Sequence, residues 1–197
     1  EYVEYWTFRI GDIFRIGRDQ GSAKFIESYQ NWIRDSIARD KPYDQLAREP
    51  IPALGGGGAP RHYYAGGNVL RPEEIMAEQA RVFLGRRLEC AQCHDHPYES
   101  WSQNQFWGLA AFFGRVTQIG QIGAITDSVI FDDPEGHGEL GQGARVIQPR
   151  TKTEVQPTFL DGKQLQAEDM PHPRVKLAEW LTTQPAFAEA AVNRVWG

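Results

Sequence analysis

Cys90-Ala91-Gln92-Cys93-His94 contains the only two cysteines of a 197-residue chain, and Asp95-His96-Pro97 follows at once. Two thiols three residues apart can each add to a vinyl group of a haem, and the next residue then offers its imidazole to the iron. On this reading Cys90 and Cys93 are the thioether anchors of a covalent haem c and His94 is its axial ligand. The same thiols could instead supply two ligands of a zinc site together with His94, His96 or both. Structural zinc wants four ligands, however, and with no second cysteine pair His62, His137 or His172 would have to fold in. A redox disulfide or plain structural cysteines are the remaining possibilities, but the βαβ pattern expected beside a thioredoxin-like motif is missing. The haem reading leads.

A haem held by His94 has a second axial position. Met76, Met170, His62, His137 and His172 are its candidate ligands. His96 is not one of them, because two residues from His94 it cannot reach the far side of the ring. It is expected to bond a propionate or the backbone, or simply to precede Pro97 in an extended turn. Asp95 reads as an exposed turn acid.

Helices should position this motif. Pro72 with Glu73 and Glu74 marks a helix start, and Ile75, Ala80, Val82, Phe83 and Leu84 supply its apolar side before Gly85. Ser102 and Gln105 form an S-x-x-Q capping box. Phe106, Leu109, Ala110 and Phe113 then fall on one helical face. The motif is therefore expected in a turn between two helices with aromatic-rich inner faces. Upstream, Tyr2, Tyr5, Trp6, Arg9, Ile10, Ile13 and Phe14 fall at helical spacing. A second helix, capped by Ser22, carries Phe25, Tyr29, Trp32, Ile33 and Ile37. Asp40-Lys41-Pro42 ends it and starts a short helix through Leu46.

Glycine and proline fill Pro50 to Asn68, which reads as a mobile surface loop; it lacks the lysine that a phosphate-cradling loop requires. From residue 115 the pattern changes. Short β-prone runs (Ser128–Phe131, Ala144–Ile147, Thr158–Leu160) alternate with turns such as Asp161-Gly162. Asp132, Asp133, Glu135 and Glu139 surround His137 without EF-hand spacing and read as a solvated acidic loop. Helices return after Pro173 (Leu177, Ala178, Leu181) and after Pro185 (Phe187, Ala191, Val195).

A net charge of −5 argues against a nucleic-acid partner. No apolar run approaches the length of a membrane span. No Ser/His/Asp triad or paired-carboxylate signature asks for a catalytic reading. The chain opens without Met inside an aromatic pattern and stops inside another, so a piece of something longer is expected. Haem attachment takes place outside the bacterial cytoplasm, which implies an extracytoplasmic location, periplasmic or secreted.

Phe83-Leu84-Gly85, Glu89 to Pro97 and Trp107 to Phe113 resemble the planctomycete-type cytochrome-like domain of unknown function. Phe159 to Gly162, Leu177 to Leu181 and Ala191 to Trp196 look like the opening of the planctomycete-specific domain that follows it. The resemblance implies a first domain over about residues 1–120 and the truncated start of a second over 121–197. It also implies haem on Cys90, Cys93 and His94, an electron-transfer assembly, and other redox proteins or subunits as partners. The expected fold is mainly α, a helical haem-binding domain with a small irregular β-containing segment towards the C-terminus. The expected function is single-electron transfer. The alternatives are a zinc-clipped structural module and a haem enzyme with an open sixth position.

Overall fold

The computed structural model describes residues 1–16, 23–60, 71–119, 129–134 and 145–196. The helices are α1 (Tyr2–Ile13), α2 (Ala23–Ala38), α3 (Tyr43–Arg48), α4 (Pro72–Gln79), α5 (Gln103–Ala110), α6 (Pro173–Thr182) and α7 (Pro185–Trp196). Two antiparallel ladders accompany them: β1 (Val116–Ile119) with β2 (Val129–Asp132), and β3 (Val146–Ile147) with β4 (Glu154–Val155). The chain is mainly α with a small β segment, in agreement with the sequence pattern.

One apolar cluster joins the helices. Ile10 of α1 and Phe14 just beyond it join Tyr29 and Ile33 of α2, and Phe14 meets the ring of Phe83 edge-on at 5.4 Å. Ile75 and Met76 of α4, Phe106 and Leu109 of α5, and Phe112 and Phe113 just beyond it fill the centre. Leu177 and Leu181 of α6 and Phe187 of α7 close the same cluster, so the last two helices share a core with the first five. Each such Leu or Phe taken out of water contributes about 1.5–3 kcal/mol.

Several details differ from the sequence pattern. The buried side of α1 is Thr7, Ile10 and Gly11, continuing to Phe14, while Tyr2 is 64% and Tyr5 57% exposed. Both stripes fit helical spacing, and packing against α2 selects the one without the leading tyrosines. Val195 is exposed as well. Between Pro50 and Pro60 the chain is anchored rather than mobile: Ile51 is fully buried, Gly55 exchanges two backbone hydrogen bonds with Ile130, and the Gly58 N–H donates to Ser28 Oγ. β2 and β3 match two of the expected runs, of which Ser128 and Ala144 lie outside the described residues. Thr158–Leu160 forms no strand, only a bridge from Thr158 to Gln164. Pro157 has no N–H for a ladder, and the chain reverses at Gly162 (φ +85°), whose N–H donates to Phe159 O.

Two arginines tie distant elements together. Arg174 of α6, 2% exposed, donates to Ile51 O at 2.7 Å and pairs with Asp132 Oδ1 of β2 at 2.8 Å. Past Gln79, α4 widens into a π-helical turn (Ala80–Leu84) that ends at Gly85 (φ +64°). A side chain at Gly85 would be strained by that backbone and would press on Ala190 of α7. Arg194 of α7 donates to the carbonyls of Arg81 and Val82 within the π turn.

Candidate functional site

Beyond Gly85 the chain makes one 3₁₀ turn, Glu89–Gln92, with Cys93 at its end. Three residues complete such a turn, so positions three apart share a face. Leu88 and Ala91 share the inner face and are buried; Cys90 and Cys93 share the outer one and are exposed, both thiols free. An ion pair between Arg81 and Glu89 holds the start of the turn.

The N-terminus of α5 holds the far side of the motif. Ser102 Oγ accepts from the Gln105 N–H at 3.2 Å and Gln105 Oε1 accepts from the Ser102 N–H at 2.8 Å, the capping box read from the sequence. Asp95, though exposed, is more than a turn acid: its Oδ1 accepts the Gln103 N–H at 2.8 Å, satisfying another orphan donor of that helix end. Gln92 O, between the two cysteines, accepts from both Gln103 Nε2 (2.9 Å) and Trp107 Nε1 (3.1 Å). The motif is therefore a surface turn whose middle peptide is fixed from below.

The two imidazoles are held in opposite tautomers. His94 Nδ1 lies 2.6 Å from Asp95 O; a carbonyl only accepts, so Nδ1 carries the proton and Nε2 presents a lone pair. His96 Nδ1 instead accepts the backbone N–H groups of Tyr98 (3.3 Å) and Glu99 (3.0 Å), which leaves the proton on Nε2. The exposed His94 is thus prepared to ligate a metal, and His96 to donate a hydrogen bond. His96 N–H also donates to Trp101 O at 2.8 Å, closing a short loop on which Tyr98 is 94% exposed.

Of the candidate distal ligands, Met76 is 1% exposed within the core. Met170 is half-buried in a cleft with Arg115 and Val146, its carbonyl accepting from Arg115 at 2.9 Å. His172 is exposed at the start of α6. His62 and His137 lie outside the described residues, as do Glu135 and Glu139, whereas Asp132 pairs with Arg174 and Asp133 is buried, so neither is a solvated loop acid. Among the described residues no three His, Cys, Asp or Glu side chains gather where they could hold one ion, and Cys90, Cys93 and His94 are no exception.

Sequence reasoning missed Gln103, Trp107 and Gln148. Gln148 Nε2 donates to Gln103 Oε1 (3.3 Å) and Asn104 Oδ1 (3.1 Å). Neither Gln103 nor Gln148 belongs to a motif, and a contact 45 residues away in the chain leaves no local signal.

No described helix is long and apolar enough to cross a membrane. Residues 1–118 match the family described as PSCyt2, protein of unknown function (DUF1549). No curated protein and no solved structure matches the chain.

Proposed function

The chain belongs to the PSCyt2 family of proteins of unknown function, whose match takes in the whole Cys90–His94 motif, and from that premise we propose that it is a c-type haem protein passing single electrons. The observation that carries the reading is the donor set: two free thiols on one outer face, followed by an imidazole with its Nε2 lone pair available. Cys90 and Cys93 would hold the group by thioether links and His94 Nε2 would ligate its iron. When bound, haem supplies reversible one-electron exchange at iron, at a potential tuned by ligation, burial and nearby hydrogen bonds.

A porphyrin brings four nitrogens of its own, so its anchors need not converge on the metal. A tetrahedral zinc ion needs its ligands around one point, and Cys90, Cys93 and His94 do not gather so. With only two cysteines in the chain, a zinc site would also have to recruit distant ligands, whereas the thioether reading uses the motif as it stands. His96 Nε2–H gives the site a donor for a carboxylate at its edge. Exposure of the motif suits exchange of electrons with other redox proteins or subunits. Covalent attachment implies an extracytoplasmic location.

The test is the native protein, or protein produced with haem-attachment machinery, examined by intact mass and by oxidised and reduced absorption spectra. A Soret band, sharp reduced α and β bands and one added haem mass are expected. Colourless protein with both thiols free, or holding a zinc ion, refutes the reading.

A further inference from the structure

We infer that Gln148, on the β3–β4 hairpin and outside the family match, is a positioning residue for the Cys90–His94 turn, acting through Gln103. The inference rests on that turn being the functional site, whatever group it holds. Gln148 sits at the mouth of the hairpin, its N–H donating to Thr153 O at 3.0 Å and its carbonyl accepting the Lys152 N–H at 2.9 Å. Its side chain is buried and its amide is committed on both sides: Oε1 accepts the Thr151 hydroxyl, and Nε2 donates to Gln103 Oε1 and Asn104 Oδ1. Gln103 is also buried, and with its Oε1 occupied by Gln148 its Nε2 is turned onto Gln92 O.

The hydrogen bonds run one way, from the Thr151 hydroxyl through two amides to the carbonyl between the cysteines. Reversing either amide would oppose oxygen to oxygen or nitrogen to nitrogen in a buried place, so the chain has one satisfied arrangement. The carbonyl at its end belongs to the Gln92–Cys93 peptide. Its orientation sets where Cys93 and His94 stand relative to Cys90. Trp107 Nε1 bonds the same oxygen and keeps the turn in place when one amide is lost, so the expected effect is a shift in geometry rather than loss of fold.

The experiment uses the full chain with both thiols reduced and no haem. Iodoacetamide labels the thiols, and peptide mass spectrometry gives the ratio of Cys93 to Cys90 alkylation rates. A neutral hydrogen bond corresponds to a factor of roughly 2 to 10, and a change of that size in the ratio is expected for Gln148→Met, Gln103→Met and Gln103→Glu. Gln103→Glu still accepts from Gln148 but no longer donates to Gln92 O. Phe187→Leu, a core truncation on α7 outside the network, controls for general loosening and should leave the ratio unchanged. In haem-loaded protein the same variants should also shift the midpoint potential. An unchanged ratio in Gln148→Met overturns the inference, as does an equal change in Phe187→Leu. A ratio that shifts in protein unable to take up haem leaves the inference standing and removes the haem reading.

Discussion

Gly108 lies inside α5, where replacing glycine by alanine ordinarily stabilises a helix by about 0.5–1 kcal/mol. Here the sign should reverse. A Cβ at Gly108 would stand 2.9 Å from Thr158 Cβ and 3.2 Å from Thr158 O, whereas carbon atoms rest at roughly 3.5–4.0 Å. Thr158 cannot withdraw freely, because its N–H donates to Gly108 O at 3.0 Å and the residue bridges Gln164. Overpacking costs about 1–3 kcal/mol and weakening that hydrogen bond adds about 0.5–1.5 kcal/mol. Gly108→Ala should therefore lose about 0.5–4 kcal/mol net of the helix gain, about 2 kcal/mol at the middle of the range. At about 2–4 °C per kcal/mol for a chain of this size, Tm falls by several degrees. Thermal melts followed by circular dichroism, with urea titrations read from tryptophan fluorescence, measure both quantities. In a Thr158→Gly background the loss should shrink, since the Cβ contact is gone. A Gly108→Ala variant as stable as the parent, or a loss untouched by Thr158→Gly, would refute the close approach of α5 and residue 158.

Asp132→Asn removes the carboxylate charge that pairs with the buried Arg174 guanidinium at 2.8 Å. With Asp132 29% exposed, the loss should be about 1–3 kcal/mol by urea unfolding, below the 3–5 kcal/mol of a fully buried pair. Ser102→Ala removes one half of the capping box and should cost about 0.5–2 kcal/mol, with α5 nearest the motif exchanging its amide hydrogens faster. Burial, aided by the nearby Glu78 carboxylate, holds the Tyr29 hydroxyl well above the usual tyrosine range. Its folded state keeps a proton that the unfolded chain releases near pH 10, so the contribution is complete below that pH and fades as pH climbs towards the raised value. Tyr29→Phe should flatten the decline in stability above pH 10; an unchanged slope would place the effect elsewhere.

Much of the helical framework was legible locally. Pro72 with its two glutamates, the Ser102–Gln105 box and the Phe106–Phe113 face each combine a start signal with a period, and all three are observed. The outward face of the cysteines was not legible, because it depends on a 3₁₀ turn that buries Leu88 and Ala91 against the core. Residues 50–60 misled for a related reason: four consecutive glycines suggest freedom, but Ile51 and the Gly55–Ile130 pairing are tertiary contacts that composition cannot report. The same holds for Asp95, whose helix partner stands eight residues away, and for Gln148.

The turn Ala80–Leu84 acts on α4 like one residue spliced into a regular helix, and such a splice swings all later backbone by about 100° about the axis. The compass bearing on which the chain sets out for Leu88 and Cys90 is therefore fixed there. Arg194, planted on carbonyls 112 and 113 residues upstream, is the stopper that keeps the splice from winding back. Trimming α7 ahead of Arg194 would touch no residue of the motif, yet it would strip the Arg81 and Val82 carbonyls of the guanidinium that clasps them just before the chain leaves for the cysteines.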